Sequence, residues 1–108
     1  MRLISREDLK AKLDRGENFV LVMALGGWAF RAKHIPGSVS FDNPEEGLKT
    51  LQKDAEIVVY CSDPACIASM YAYKFLVEHG YTNVCRYAGG LSQWEDAGYP
   101  LEGEMVNK

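Results

Sequence analysis

The residues with the most chemical potential in this chain lie in one short run, Tyr60-Cys61-Ser62-Asp63-Pro64-Ala65-Cys66-Ile67-Ala68-Ser69. Cys61 directly follows Ile57-Val58-Val59-Tyr60, four β-favouring residues in a row and the clearest strand in the sequence. From Ile67 to His79 there is no Gly or Pro, and Gly80 stands where a helix C-cap belongs, so a helix is expected there. A strand–loop–helix unit of this kind can hold a side chain in a cradle of backbone N–H groups. The free amides at the helix start point over the loop, and the helix dipole adds partial positive charge. A thiol with a pKa near ~8.5 can fall by several units in such surroundings. On this reading Cys61 is a nucleophile, and the loop residues Ser62, Asp63, Pro64, Ala65, Cys66 and Ile67 bind what it attacks. The same position also suits a small buried filler, because unoxidised Cys often packs as a small hydrophobe.

Other reactive residues are sparse. Three cysteines, Cys61, Cys66 and Cys85, are an odd number, which argues for reduced thiols over a disulfide framework. No second Cys/His pair follows Cys61 and Cys66, and His34 and His79 stand alone, so neither a metal nor a cofactor is expected. His34, fixed before Pro36, reads as a turn residue tying backbone groups together. Trp94 and the Tyr71, Tyr73, Phe75 set read as packing at helical spacing, and Cys85 as a buried filler within a strand. Trp28 and Phe30 are candidates for an apolar rim beside the reactive loop.

The elements that must position this loop follow from periodicity and turn chemistry. Ser5-Arg6-Glu7-Asp8 opens a helix with an N-cap and acidic first turn, Leu9 and Leu13 give it an apolar stripe, and Gly16 closes it. Phe19 to Met23 is a continuous apolar run, the pattern of a strand covered on both faces. Gly26-Gly27 breaks it, a short helix carries Trp28 to Lys33, and His34-Ile35-Pro36-Gly37 turns into a short strand, Ser38 to Phe41. Asp42-Asn43-Pro44 starts a further helix with Leu48 and Leu51 inward. After the reactive loop and its helix come a strand, Asn83 to Tyr87, and a last helix from Gly89-Gly90 to near Gly98. Strands alternating with helices imply right-handed βαβ units on a parallel sheet, with ligands at the carboxyl ends of the strands.

Composition narrows the function classes. The 108 residues fit one domain spanning 1–108, and 47% hydrophobic with 25% charged residues is ordinary globular usage. A net charge of −3 without long same-sign runs argues against capture of nucleic acid or an anionic membrane. No apolar stretch approaches the ~20 residues of a membrane span, and Met1 to Glu7 turns charged too early for a signal peptide. A cytoplasmic monomer is the expectation.

Taken together, His34-Ile35-Pro36-Gly37, Val58-Val59-Tyr60-Cys61, Tyr81-Thr82-Asn83-Val84, Gly89-Gly90-Leu91-Ser92-Gln93-Trp94 and Gly98-Tyr99-Pro100-Leu101 resemble a single-domain rhodanese of the thiosulfate sulfurtransferase superfamily, in order and over nearly the whole chain. The resemblance implies an α/β fold: a three-layer α/β/α domain on a five-stranded parallel sheet of order 3-2-4-5-1, with a first strand near Leu3-Ile4. It also implies sulfane transfer. Cys61 takes sulfur from a small donor, thiosulfate or another persulfide, and passes it to a small-molecule or protein-thiol acceptor.

The chain departs from the family pattern at charged positions. Met23 and Leu25 stand where many members carry Asp and Arg, and Cys66 stands where the active loop usually has Arg. The loop holds an acid, Asp63, and no base, so an anionic donor would be held mostly by backbone amides. Ile67 occupies the place of the arginine that a phosphatase of this fold needs, which argues against phosphate-ester hydrolysis. Two alternatives stay open: a non-catalytic interaction domain, and a redox switch in which Cys61 and Cys66 form a reversible disulfide. Cys66 is read as inert, resolving or a second sulfur carrier. The lean is towards inert, because a helix beginning at Ala65 would hold the two sulfurs apart.

Overall fold

The computed structural model describes residues 1–25, 27–40, 44–63 and 65–106. The expected roles of Gly26, Phe41, Asp42, Asn43 and Pro64 lie outside them. Among the described residues the elements run α1 (Arg6–Asp14), β1 (Val20–Met23), α2 (Gly27–Ala32), β2 (Val39–Ser40), α3 (Pro44–Thr50), β3 (Ile57–Tyr60), α4 (Ala68–Glu78), β4 (Val84–Tyr87) and α5 (Gly90–Asp96). Helix α1 starts where its cap dictates, with Ser5 Oγ accepting the Asp8 N–H at 3.0 Å.

The strands pair in parallel in the order β2-β1-β3-β4, with Val22 level with Val59 and Val39, and Tyr60 level with Met23 and Tyr87. Among the described residues four strands are present where five are expected. The segment near Leu3 makes a single parallel bridge to Arg86 on the outer side of β4, through Ile4 N–H to Arg86 O and Arg86 N–H to Arg2 O. Ser5 caps α1 immediately afterwards, so the chain turns helical before a second residue pair can form. The position of the bridge still matches the expected strand order.

Alternation along β3 divides the core into two layers. Val58 and Tyr60 face one side, with Leu21, Met23, Leu9 of α1, and Leu91 and Trp94 of α5. Ile57 and Val59 face the other, with Val22, Val84, Leu76 of α4 and the partly buried Leu48 and Leu51. All four β3 residues are fully buried. Each large apolar side chain so buried contributes about 1.5–3 kcal/mol. Helices on both faces of a parallel sheet make the three-layer α/β fold, and β3 is the central strand that delivers Cys61.

Trp94 behaves as core: it is buried, its Nε1–H donates to Pro100 O at 2.9 Å, and Tyr99 packs edge-on against it. His34 behaves as a tie. Its backbone exchanges hydrogen bonds with Glu102, its Nδ1 lies 2.7 Å from Phe30 O, and its ring stacks on Phe30. Phe30 is thereby occupied with His34, while Trp28 stays exposed. Among the described residues no helix is long and apolar enough to cross a membrane.

Candidate active site

The loop after β3 is built from two directions. Beneath it, the Tyr60 hydroxyl is buried and accepts the Ile35 N–H at 3.1 Å while lying 2.8 Å from Ser38 Oγ. Ser38 Oγ also donates to Ile35 O at 2.6 Å. These bonds fasten the residue before Cys61 to the His34–Gly37 turn, and burial pushes the Tyr60 phenol pKa up. From the side, the start of α5 grips the loop backbone: Leu91 N–H donates to Cys61 O at 3.0 Å and Ser92 N–H to Ser62 O at 2.9 Å.

Gly90 makes this grip possible. Its φ of +67° is a left-handed conformation, and a Cβ there would lie 2.7 Å from Asp63 N and 2.8 Å from Ser62 C. Only a residue without a side chain can bring α5 this close to the loop. In the sequence the Gly89-Gly90 pair reads as a helix leader; its proximity to the loop is a tertiary fact.

Within the loop, Cys61 and Cys66 are joined by a disulfide with Cα atoms 6.3 Å apart, and Cys85 is free and buried. The geometric ground for reading Cys66 as inert does not hold. Helix α4 begins at Ala68, three residues later than Ala65, so Cys66 remains in the curled loop and its sulfur reaches Cys61. Cys61 is 1% exposed, whereas Cys66 is half-buried. The disulfide form therefore presents Cys66, not Cys61, to solvent.

Asp63 shapes the curl. Its Oδ1 accepts the N–H of Ala65 at 2.9 Å and of Cys66 at 3.0 Å, and its carbonyl also accepts the Cys66 N–H. Two amides expected to cradle a bound anion are therefore occupied by a carboxylate of the chain itself. Ser62 Oγ lies 4.0 Å from Cys61 Sγ, and Ile67, at the N-cap of α4, is exposed and adds no side-chain cap.

One basic group approaches the α4 end of the loop from elsewhere. Arg86 Nε on β4 donates to the buried Ser69 Oγ at 2.8 Å, in the first turn of α4. The local sequence showed no such base, because Arg86 lies two elements downstream. Met23 fills a core position in place of a charged residue, and Leu25 packs against the same core. Beside the loop a groove of about 680 Å³ opens between α3 and α4, lined by Met23, Ala24, Gly47, Ala68, Tyr71 and Phe75. Among the described residues no cluster of His, Cys, Asp or Glu could hold a metal ion.

Comparison with known proteins places these features in a family. Residues 5–97 match the model of the rhodanese-like domain. The thiosulfate sulfurtransferase GlpE of Pseudomonas syringae pv. syringae is 33% identical over 95 residues, covering 86% of this chain and 87% of that one. GlpE of Actinobacillus succinogenes is 32% identical over 88 residues, covering 80% and 78%. Among solved structures, the BH2092 protein from Bacillus halodurans superposes with a TM-score of 0.88 at 26% identity, over 96% of this chain and 78% of that one. With its parallel sheet, its cysteine at the end of the central strand and a family match across residues 5–97, the chain belongs to the rhodanese-like domain family.

Proposed function

We propose that this rhodanese-like sulfurtransferase moves a sulfane sulfur from a small donor, thiosulfate or another persulfide, to a small-molecule or protein-thiol acceptor through a persulfide on Cys61. The observation that carries this reading is the placement of Cys61. It leaves a fully buried central strand and its carbonyl is held by Leu91 N–H, so its sulfur is fixed at the carboxyl end of the sheet. With the loop reduced, the Cys61 thiolate attacks the outer sulfur of the donor, and the donor leaves as its anion. The acceptor then attacks that outer sulfur and Cys61 leaves again as thiolate. Exposed Trp28 and Ile67, which follow the neighbouring strands β1 and β3, supply apolar surface for an acceptor larger than cyanide. The proposed setting is a cytoplasmic monomer.

The disulfide favours a second reading, a thiol switch in which an oxidant closes Cys61 onto Cys66. A non-catalytic interaction domain has the loss of charge at Met23, Leu25 and Cys66 in its favour and the held cysteine against it. Intact-mass analysis of the reduced protein after exposure to thiosulfate or glutathione persulfide separates the three. The persulfide reading expects one added sulfur atom on Cys61 in a Cys66→Ser chain, absent in Cys61→Ser, and thiocyanate formation when cyanide follows. Loss of two hydrogens with mild peroxide, and no sulfur gain from any donor, would favour the switch. No change in either assay would leave an interaction domain.

A further inference from the structure

We infer that Cys66 discharges the Cys61 persulfide, so that the protein also releases hydrosulfide from sulfane donors at the expense of a dithiol reductant. The inference rests on the persulfide reading and names the route by which the same sulfur leaves when no external acceptor takes it.

Three observations carry it. The loop is curled by groups other than the S–S bond: the Asp63 carboxylate holds the Ala65 and Cys66 amides, and α5 holds the Cys61 and Ser62 carbonyls. Reduction therefore leaves Cys66 poised over Cys61, with the Cα separation of 6.3 Å inside the range that a disulfide spans. Secondly, burial is unequal. Cys61 is 1% exposed and Cys66 half-buried, so of the two residues Cys66 is the one an incoming reductant can reach, and attack there expels Cys61 as thiolate, the form needed for the next donor. Thirdly, the remaining thiol, Cys85, is buried on β4 and free, which isolates the pair from competing exchange.

The chemistry balances as follows. After donor attack, Cys61 carries a persulfide, Sγ–SH. The Cys66 thiolate attacks Cys61 Sγ, the Sγ–S bond breaks, and the outer sulfur departs as HS⁻ with the bonding pair and its proton. The Cys61–Cys66 disulfide remains. The sulfane sulfur has gained two electrons, supplied by the two cysteines. One thiolate of a dithiol then attacks Cys66 Sγ, Cys61 leaves as thiolate, and the second thiol of the reductant closes its own disulfide, freeing Cys66. Net, one sulfane sulfur becomes hydrosulfide and one dithiol becomes a disulfide.

The test uses the reduced full chain, freed of reductant and mixed with thiosulfate or glutathione persulfide. Wild type should release a burst of about one hydrosulfide per chain and then stop as the disulfide, because each Cys pair supplies only two electrons. Added dithiothreitol should make release continuous. In Cys66→Ser the burst should vanish and the persulfide on Cys61 should persist at least about tenfold longer, since the internal attacking thiol is gone. Cys66→Ala gives the same expectation if serine perturbs the loop. A persulfide of equal lifetime in wild type and both variants would overturn the inference while leaving sulfur transfer intact, as would an equal burst in all three. If no form gains sulfur from either donor, the persulfide reading itself fails, and this one with it.

Discussion

Asp63 Oδ1 accepts the Cys66 N–H at 3.0 Å, so the only acid of the loop fixes the residue whose sulfur closes on Cys61. Under the proposed transfer from thiosulfate this bond carries a cost for donor binding, because the carboxylate occupies amides that a sulfonate oxygen would seek. Asp63→Asn keeps the Oδ1 acceptor and the turn but removes the charge. The KM for thiosulfate should fall by roughly fivefold with kcat little changed, the equivalent of about 1 kcal/mol for a partly exposed charge. Steady-state kinetics on the reduced protein checks this, and a KM that stays put or rises would show that the carboxylate does not oppose the donor.

The approach of Gly90 to Ser62 and Asp63 predicts a large effect from one methyl group. Gly90→Ala places a Cβ against backbone atoms that cannot swing aside and adds a left-handed φ. Gly98→Ala has a similar φ of +75° with nothing within 4 Å of the added carbon, so it reports the conformational cost alone. Gly98→Ala should lose about 1–2 kcal/mol of unfolding free energy, and Gly90→Ala clearly more, with loss of sulfur transfer. Equal urea midpoints for the two variants would contradict the close packing.

The Tyr60 hydroxyl serves Ile35 N–H and Ser38 Oγ in a buried place. Tyr60→Phe leaves the Ile35 N–H without its acceptor and should cost about 1–3 kcal/mol. Ser38→Ala spares that N–H but leaves the buried Tyr60 O–H without its acceptor, because Ser38 Oγ gives its own proton to Ile35 O, so it should cost about as much. Paired denaturant curves check both, and a variant as stable as wild type would remove that bond from the account of the turn.

Burial also sets an alkaline limit. It pushes the Tyr87 phenol pKa up to about 12 and moves that of Tyr60 in the same direction. The unfolded chain ionises its tyrosines near pH ~10, while the folded chain keeps these two protonated. Stability from this source is full below about pH 10 and is lost progressively as pH rises towards 12. The urea midpoint should fall over that window, and Tyr87→Phe should flatten the decline. A midpoint equally steep in the variant would remove Tyr87 as a cause.

Much of the framework was legible from residue order alone. Ile57–Tyr60 reads as the clearest strand because four β-favouring residues stand in a row, and Ser5 marks the start of α1 because its hydroxyl serves a nearby amide. Those signals are local: the groups concerned lie within a few residues of one another. The cysteine after the strand was legible for the same reason, as were the packing of Trp94 and the tie made by His34. What the sequence could not specify depends on groups far apart along the chain. The first strand shrank to a bridge at Leu3 because α1 begins too soon after it. Arg86 arrives at Ser69 from the next strand, and Gly90 lets α5 grip a loop some thirty residues earlier. The pairing of Cys61 with Cys66 lay between the two cases. Their spacing allowed a disulfide or forbade it according to where α4 begins, and in the fold the Asp63 carboxylate holds the Ala65 and Cys66 amides in the loop ahead of that helix.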